Sequence, residues 1–171
     1  MNGNKIIQEW YSLYADDIYN FLIYYSSNTD AEDILQEVFI KALNNLENFE
    51  WNSNPKTWLI KIARNTAIDQ SRRLSRLQLI LKKIRKKDEY VSPEDIFIEN
   101  EEIAELYCHI NKLPQKYREV VILRGILELS VTGTATVTGW TENSIRLNYH
   151  RAKKKLKDSY FERSVLRDES V

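Results

Sequence analysis

The chain has 171 residues, of which 43% are hydrophobic and 29% charged, and its 25 basic and 25 acidic side chains cancel to a formal net charge of zero. That length fits one domain or two small ones with a packed core, and only four glycines and three prolines argue for long helices and against a turn-rich sheet protein. A lone cysteine, Cys108, excludes an internal disulfide; with no long apolar run and no apolar signal core after Met1–Lys5, a cytoplasmic protein outside the membrane is expected.

Taken in order, residues 6–25 read as a helix with Trp10, Leu13, Tyr14, Ile18, Phe21, Leu22 and Tyr25 at three- and four-residue steps. Thr29 followed by Glu32 has the form of a capping box. The next helix turns Ile34, Val38, Phe39, Ala42, Leu43 and Leu46 inward and Asp30, Asp33, Gln36, Glu37 and Lys41 outward. This first stretch is acidic, with nine acids and two bases over 1–50. Periodicity then fails over 49–54, which predicts a loop. Asn54 as cap and Pro55 in the first turn start a third helix running through Arg72 and Arg73 towards Lys87. The balance now reverses, with eleven bases and one acid over 51–87.

A linker is placed at 88–91, and Ser92-Pro93-Glu94-Asp95 has the order of a helix restart. Residues 88–107 hold eight acids and no base. Ile103, Leu106, Tyr107 and Ile110 form an inward face that ends at Leu113-Pro114, and Tyr117, Val120, Val121, Leu123 and Leu127 form another. Ser130 is positioned to cap a short helix, Gly139-Trp140-Thr141 makes a turn, and a last helix buries Ile145, Tyr149, Ala152 and Leu156. The stretch 129–157 is basic again, with six bases and one acid. The fold class expected is all-α, with two small helical domains joined by a linker: 1–87, then an acidic linker and first helix over 88–112, then 113–160.

Two clusters carry chemistry. Ala135, Gly139 and Ile145 have helix-turn-helix spacing: a small residue permits close approach, a glycine takes the left-handed turn, and an isoleucine locks the second helix down. That helix would show Arg146, Asn148, His150, Arg151 and Lys154 to base edges and phosphates. A helical hairpin packed on a protein partner would use the same spacing. Over 49–76, Phe49, Trp51 and Trp58 lie among Asn52, Ser53, Asn54, Lys56, Lys61, Arg64, Asn65, Arg72, Arg73 and Arg76. Aromatic faces stack on unpaired bases, amides read their edges and cations track the backbone, which suits opened DNA; Trp58 on its helix can equally be core. No catalytic constellation is present. His109 and His150 are the only histidines, Cys108-His109 lacks further ligands, and neither a phosphate loop nor a metal-ligand cluster occurs, so no enzyme, cofactor or metal is expected.

Several linked stretches resemble one family. Residues 29–39, TDAEDILQEVF, look like the polymerase-clamp-binding helix in region 2 of sigma-70 family sigma factors; 55–69, PKTWLIKIARNTAID, resemble the part that melts and reads the −10 element. Residues 113–121, LPQKYREVV, look like the opening of region 4, and 140–157 are similar to its −35 recognition helix. The direct link between regions 2 and 4 resembles the extracytoplasmic-function (ECF) class. The resemblance implies core polymerase binding at the clamp through Asp30, Asp33, Gln36 and Glu37, with a further contact at the flap. It implies −10 contacts from Phe49, Trp51, Asn52, Ser53, Asn54, Lys56, Lys61, Arg64, Asn65, Arg72 and Arg73. It implies −35 contacts from Thr141, Asn143, Ser144, Arg146, Leu147, His150, Arg151 and Lys154. Promoter DNA and an anti-sigma factor, usually membrane-linked, are the other implied partners, the regulon being one of stress or envelope response, and the acidic linker would thread towards the polymerase channels. A helix-turn-helix regulator that never binds polymerase is the alternative; it accounts for 113–157 but not for the aromatic-basic cluster. One segment departs from the family pattern. Val131-Thr132-Gly133-Thr134-Ala135-Thr136-Val137-Thr138 should form a helix weaker by roughly 2 kcal/mol on propensity alone, with Thr134 and Thr138 where apolar core residues are expected.

Overall fold

The computed structural model describes residues 2–26, 31–82 and 101–168, with side chains over 2–25, 31–77 and 106–160. Asp30, the proposed Thr29 cap, the 88–91 linker, the Ser92-Pro93 restart and most of the acidic stretch lie outside the described residues. Seven α-helices and no strand occur among those described. They are α1 (Gly3–Ser26), α2 (Ala31–Asn44), α3 (Pro55–Lys82), α4 (Glu101–Asn111), α5 (Gln115–Val121), α6 (Val131–Thr138) and α7 (Glu142–Asp168). The chain divides into two compact units, Met1–Ser92 and Pro93–Val171.

In the first unit α1, α2 and α3 pack on one another around Ile18, Phe21, Leu22, Val38, Ala42, Leu59, Ile60 and Ala63, all fully buried. A single-turn 3-10 helix, Leu46–Asn48, ends α2 and delivers Phe49 inward. Asn54 Oδ1 accepts the Thr57 amide at 3.2 Å, which caps α3. Two residues of the apolar repeats lie outside the core. Leu13 is 64% exposed because the apolar stripe of α1 passes through Trp10, Ile18, Phe21 and Leu22, leaving Leu13 on its outer side. Leu43 is 39% exposed on the outer side of α2.

In the second unit Tyr107, Ile110, Val120, Ile122, Leu123, Val137, Ile145 and Ala152 form the core. Leu106, expected inside, is 44% exposed. The helix begun at Gln115 widens into a π turn over Ile122–Ile126. It ends with Glu128 at φ 56 and the Leu129 amide donating to Leu123 O at 2.9 Å. A left-handed conformation costs an L-residue about 1–2 kcal/mol. Glu128→Gly is therefore expected to raise the melting temperature of the chain, by about 4–8 °C per kcal/mol regained in a unit of this size, as read by thermal circular dichroism; an unchanged or lowered midpoint would show that the Glu128 side chain offsets the strain.

The threonine-rich α6 is capped by Ser130, whose Oγ accepts the Gly133 amide at 2.9 Å. Gly139 leaves the helix at φ 76, in the left-handed region, with its amide returned to Ala135 O. Thr134 and Thr138 stand in the core, 0% and 8% exposed. Their hydroxyls donate to Ser130 O and Thr134 O, at 2.9 and 2.8 Å, so neither buried group is left without a partner. Thr138 Oγ1 also accepts the Trp140 amide at 3.2 Å. Thr136 donates back to Thr132 O, and Thr132 instead reaches across to Glu142.

Candidate nucleic-acid interface

Trp10, Phe49, Trp51 and Trp58 form one aromatic cluster where α1, the 49–54 loop and the start of α3 meet. Phe49 sits edge-on to Trp10, Trp51 and Trp58 with centroids 4.9, 5.3 and 5.1 Å apart. Phe49 is only 4% exposed, enclosed among neighbouring rings, and so cannot stack on a base: its assignment to DNA contact is corrected to core. Trp51 is 59% exposed and lies on the outside of the cluster, with a ring held from behind by Phe49. Asn52, Ser53 and Asn54 are exposed beside it. Ser53 Oγ donates to Glu50 O at 2.6 Å, closing the turn that presents Asn52.

Behind this loop a groove of about 350 Å³ opens between α2 and α3, lined by Lys41, Asn45, Asn48, Trp58, Lys61, Ile62, Asn65 and Thr66. Its size falls at the lower end for small-molecule pockets, and its lining combines an aromatic side, amides and cations. Trp58, Lys61 and Asn65 belong to the aromatic-basic cluster of 49–76. Lys41, Asn45, Asn48 and Thr66 carry no such signal in the sequence, because they line the groove only once the end of α2 meets the middle of α3. Lys41 Nζ lies 2.7 Å from Glu37 Oε1 and donates to the buried Thr66 Oγ1 at 3.1 Å, pinning α2 to α3 at the groove wall. Lys56 is drawn the other way, to Asp17 Oδ2 of α1 at 2.8 Å. Arg64 is half-buried, while Arg72 and Arg73 stand exposed further along α3.

On α2, Asp33, Gln36 and Glu37 are exposed. Ile40, 60% exposed, and Leu43 continue the same stripe at steps of three and four. The periodicity of the sequence predicts only polar residues on this outer face.

On α7, Thr141 caps the helix by accepting the Ser144 amide at 3.2 Å, and Ile145 is fully buried beneath. Asn143, Arg146, Leu147, His150, Arg151 and Lys154 are exposed together on the outer side of α7. Ser144 is half-buried. Asn148 is corrected: it is 9% exposed and its amide donates to Ser144 Oγ at 3.2 Å, inside the surface and away from it. Tyr149 carries Arg124 and Lys153 against its ring, 5.5 and 4.9 Å from the centroid. Among the described residues no cluster of His, Cys, Asp or Glu could hold a metal ion, and no helix is long and apolar enough to cross a membrane.

Two family models match the chain, Sigma-70 region 2 over residues 10–77 and Sigma-70, region 4 over residues 101–156. The chain is 34% identical to the ECF RNA polymerase sigma factor SigX of Bacillus subtilis, over 90% of this chain and 82% of that one. It is 30% identical to SigW of the same organism, an ECF RNA polymerase sigma factor too, over 85% and 83% of the two chains. Among solved structures it is similar to the sigma factor RpoE in complex with the anti-sigma factor NepR from Bartonella quintana. That likeness has a TM-score of 0.76, with 26% identity, and covers 90% of this chain and 96% of that one.

Proposed function

The chain belongs to the sigma-70 family as an ECF sigma factor, and from that premise we propose how its two units divide the work of binding core RNA polymerase and directing promoter-specific initiation. Sigma factors are initiation factors, and the bond-forming chemistry stays with the polymerase. The observation that carries the reading is the groove between α2 and α3, walled by Trp58, which belongs with the exposed Trp51 to one aromatic cluster through Phe49, because single-strand capture needs a stacking ring, base-edge amides and cations in one place. Trp51 stacks on a non-template base as the duplex opens. Asn52, Asn65 and Lys61 take the edge and backbone of the base that enters the groove, and Arg72 and Arg73 hold phosphates downstream. Phe49 supports Trp51 from the core.

The stripe of Asp33, Gln36, Glu37, Ile40 and Leu43 docks on the polymerase clamp, polar groups giving register and the aliphatic pair giving buried area. Asp30 stands next to this stripe in the sequence. The outer side of α7 enters the major groove at −35, with Arg146 and Arg151 reading or clamping and Asn143, His150 and Lys154 beside them. Thr141 and Ser144 stand at the positive end of the α7 dipole, where a DNA phosphate is favoured, although the Ser144 amide itself is already held by Thr141 Oγ1.

An anti-sigma factor is a partner of the structural neighbour and of this chain by the same fold; we assign it a membrane-linked form, a cytoplasmic place for the complex and a regulon of stress or envelope response. The test is assembly: the chain mixed with core RNA polymerase should co-elute and protect promoter DNA over both −35 and −10 positions. A chain that binds promoter duplex by itself and never joins core polymerase would refute the reading in favour of a free-standing helix-turn-helix regulator.

A further inference from the structure

Two threonines of the unusual α6, Thr132 and Thr136, are exposed and have no core-packing role; Thr136 bonds back within its own helix, and Thr132 does not. Thr132, exposed in the first turn of α6, donates its hydroxyl to Glu142 Oε1 at 2.8 Å, ten residues ahead and across the turn. The second oxygen of the same carboxylate, Oε2, accepts from an Arg146 guanidinium nitrogen at 2.7 Å. Glu142 therefore bridges two elements, with one oxygen held by the bracing helix and the other holding a cation on the recognition helix. Its place in the first turn of α7 suits an acid, because the N-terminal end of the helix dipole is positive. The hydrogen bond from Thr132 and then that from Arg146 hold its carboxyl below the usual carboxylate range.

Arg146 and Glu142 side chains are 59% and 42% exposed, and ion pairs so exposed add little to stability. Geometry is what the bridge supplies. A free arginine samples many rotamers and takes any phosphate within reach; one tethered at a single nitrogen keeps its remaining donors in a fixed fork. A fixed fork suits the paired acceptors of a guanine edge, while the adjacent carboxylate repels the DNA backbone.

We propose that Glu142, itself held by Thr132, is a positioning residue that aims Arg146, so that the base preference of α7 is set in part from α6. This rests on the reading of α7 as the −35 helix. It also gives the threonine in the unusual segment a task that a helix of stronger propensity could not perform with alanine or leucine at that position.

The test uses the full chain assembled with core RNA polymerase and a set of promoters carrying every single base-pair change across the −35 element, with affinities measured at low and moderate salt. For the parent protein one position should discriminate by roughly fivefold to a hundredfold, the range of a good bidentate contact, and Arg146→Ala should abolish that discrimination. Thr132→Val, isosteric and without its donor, should cut it to about threefold or less, while Thr132→Ser should keep it. Glu142→Gln should do the same as Thr132→Val, and should also tighten binding to non-cognate DNA with a steeper salt dependence, since one acid near the backbone is gone. Preferences at the other −35 positions should not move, which a general loosening of the fold would not spare. Profiles for Thr132→Val and Glu142→Gln that match the parent's, with Arg146→Ala altered, would overturn the inference alone. A parental profile for Arg146→Ala would overturn it together with the reading of α7.

Discussion

Open-complex formation should fall by roughly fivefold to a hundredfold when Trp51 and Asn52 are both replaced by alanine, because each lost base stack is worth about 1–3 kcal/mol. The structure makes this a clean substitution. Trp51 is 59% exposed and meets Trp10 and Phe49 from the outside of the cluster, so its removal should cost only about 0.5–1.5 kcal/mol of stability per ring contact. Phe49→Ala should behave in the opposite way. That ring is buried against three others, and losing it should cost about 3–5 kcal/mol of stability, as large aromatic truncations do. A template melted in advance separates melting from reading. If Trp51 holds a flipped base, binding to the pre-melted template falls as well; if the loop serves only to open the duplex, pre-melting restores it. Wild-type open complexes from the double variant would remove the loop from the mechanism.

The second large effect should be on assembly. Asp33→Ala with Gln36→Ala is expected to weaken core polymerase binding by roughly tenfold to a hundredfold, if either residue is an interface hot spot at about 2 kcal/mol, with the helical circular dichroism signal intact. These two are chosen over Glu37, whose carboxylate already holds Lys41 at the groove wall, so that replacing it would disturb both sites at once. Ile40→Ala should add to the loss, since its 60% exposure leaves it unused by the fold of the first unit. Binding measured by fluorescence anisotropy on labelled chain gives the answer; parental affinity in the triple variant would mean that α2 presents a different face to the polymerase.

Much of this was legible in the residues. Caps and breakers placed the helix ends: Asn54 and Pro55 at α3, Ser130 at α6, and Gly139, which does take φ 76. These features are local, and local chemistry decides them. What escaped depends on residues far apart in the chain. Phe49 follows a broken periodicity and so read as a loop aromatic, yet its burial is set by Trp10 on another helix. The groove wall of Lys41, Asn45, Asn48 and Thr66 exists only where α2 crosses α3. The left-handed Glu128 had no glycine or asparagine to announce it, because a charged residue there is the exception. The Thr-rich stretch read as weakened helix on propensity alone. Propensity does not count hydroxyls that return to the preceding turn or reach across to Glu142.

This chain gives core RNA polymerase its choice of promoter, and run-off transcription measures that directly. Core enzyme, the chain and a library of promoters are combined, and the transcripts are sequenced. Transcripts should arise from a narrow set of templates that share paired −35 and −10 elements at fixed spacing, and only when both proteins are present. Transcripts that are the same with and without the chain, or a chain that fails to join core enzyme, would show that promoter choice lies elsewhere.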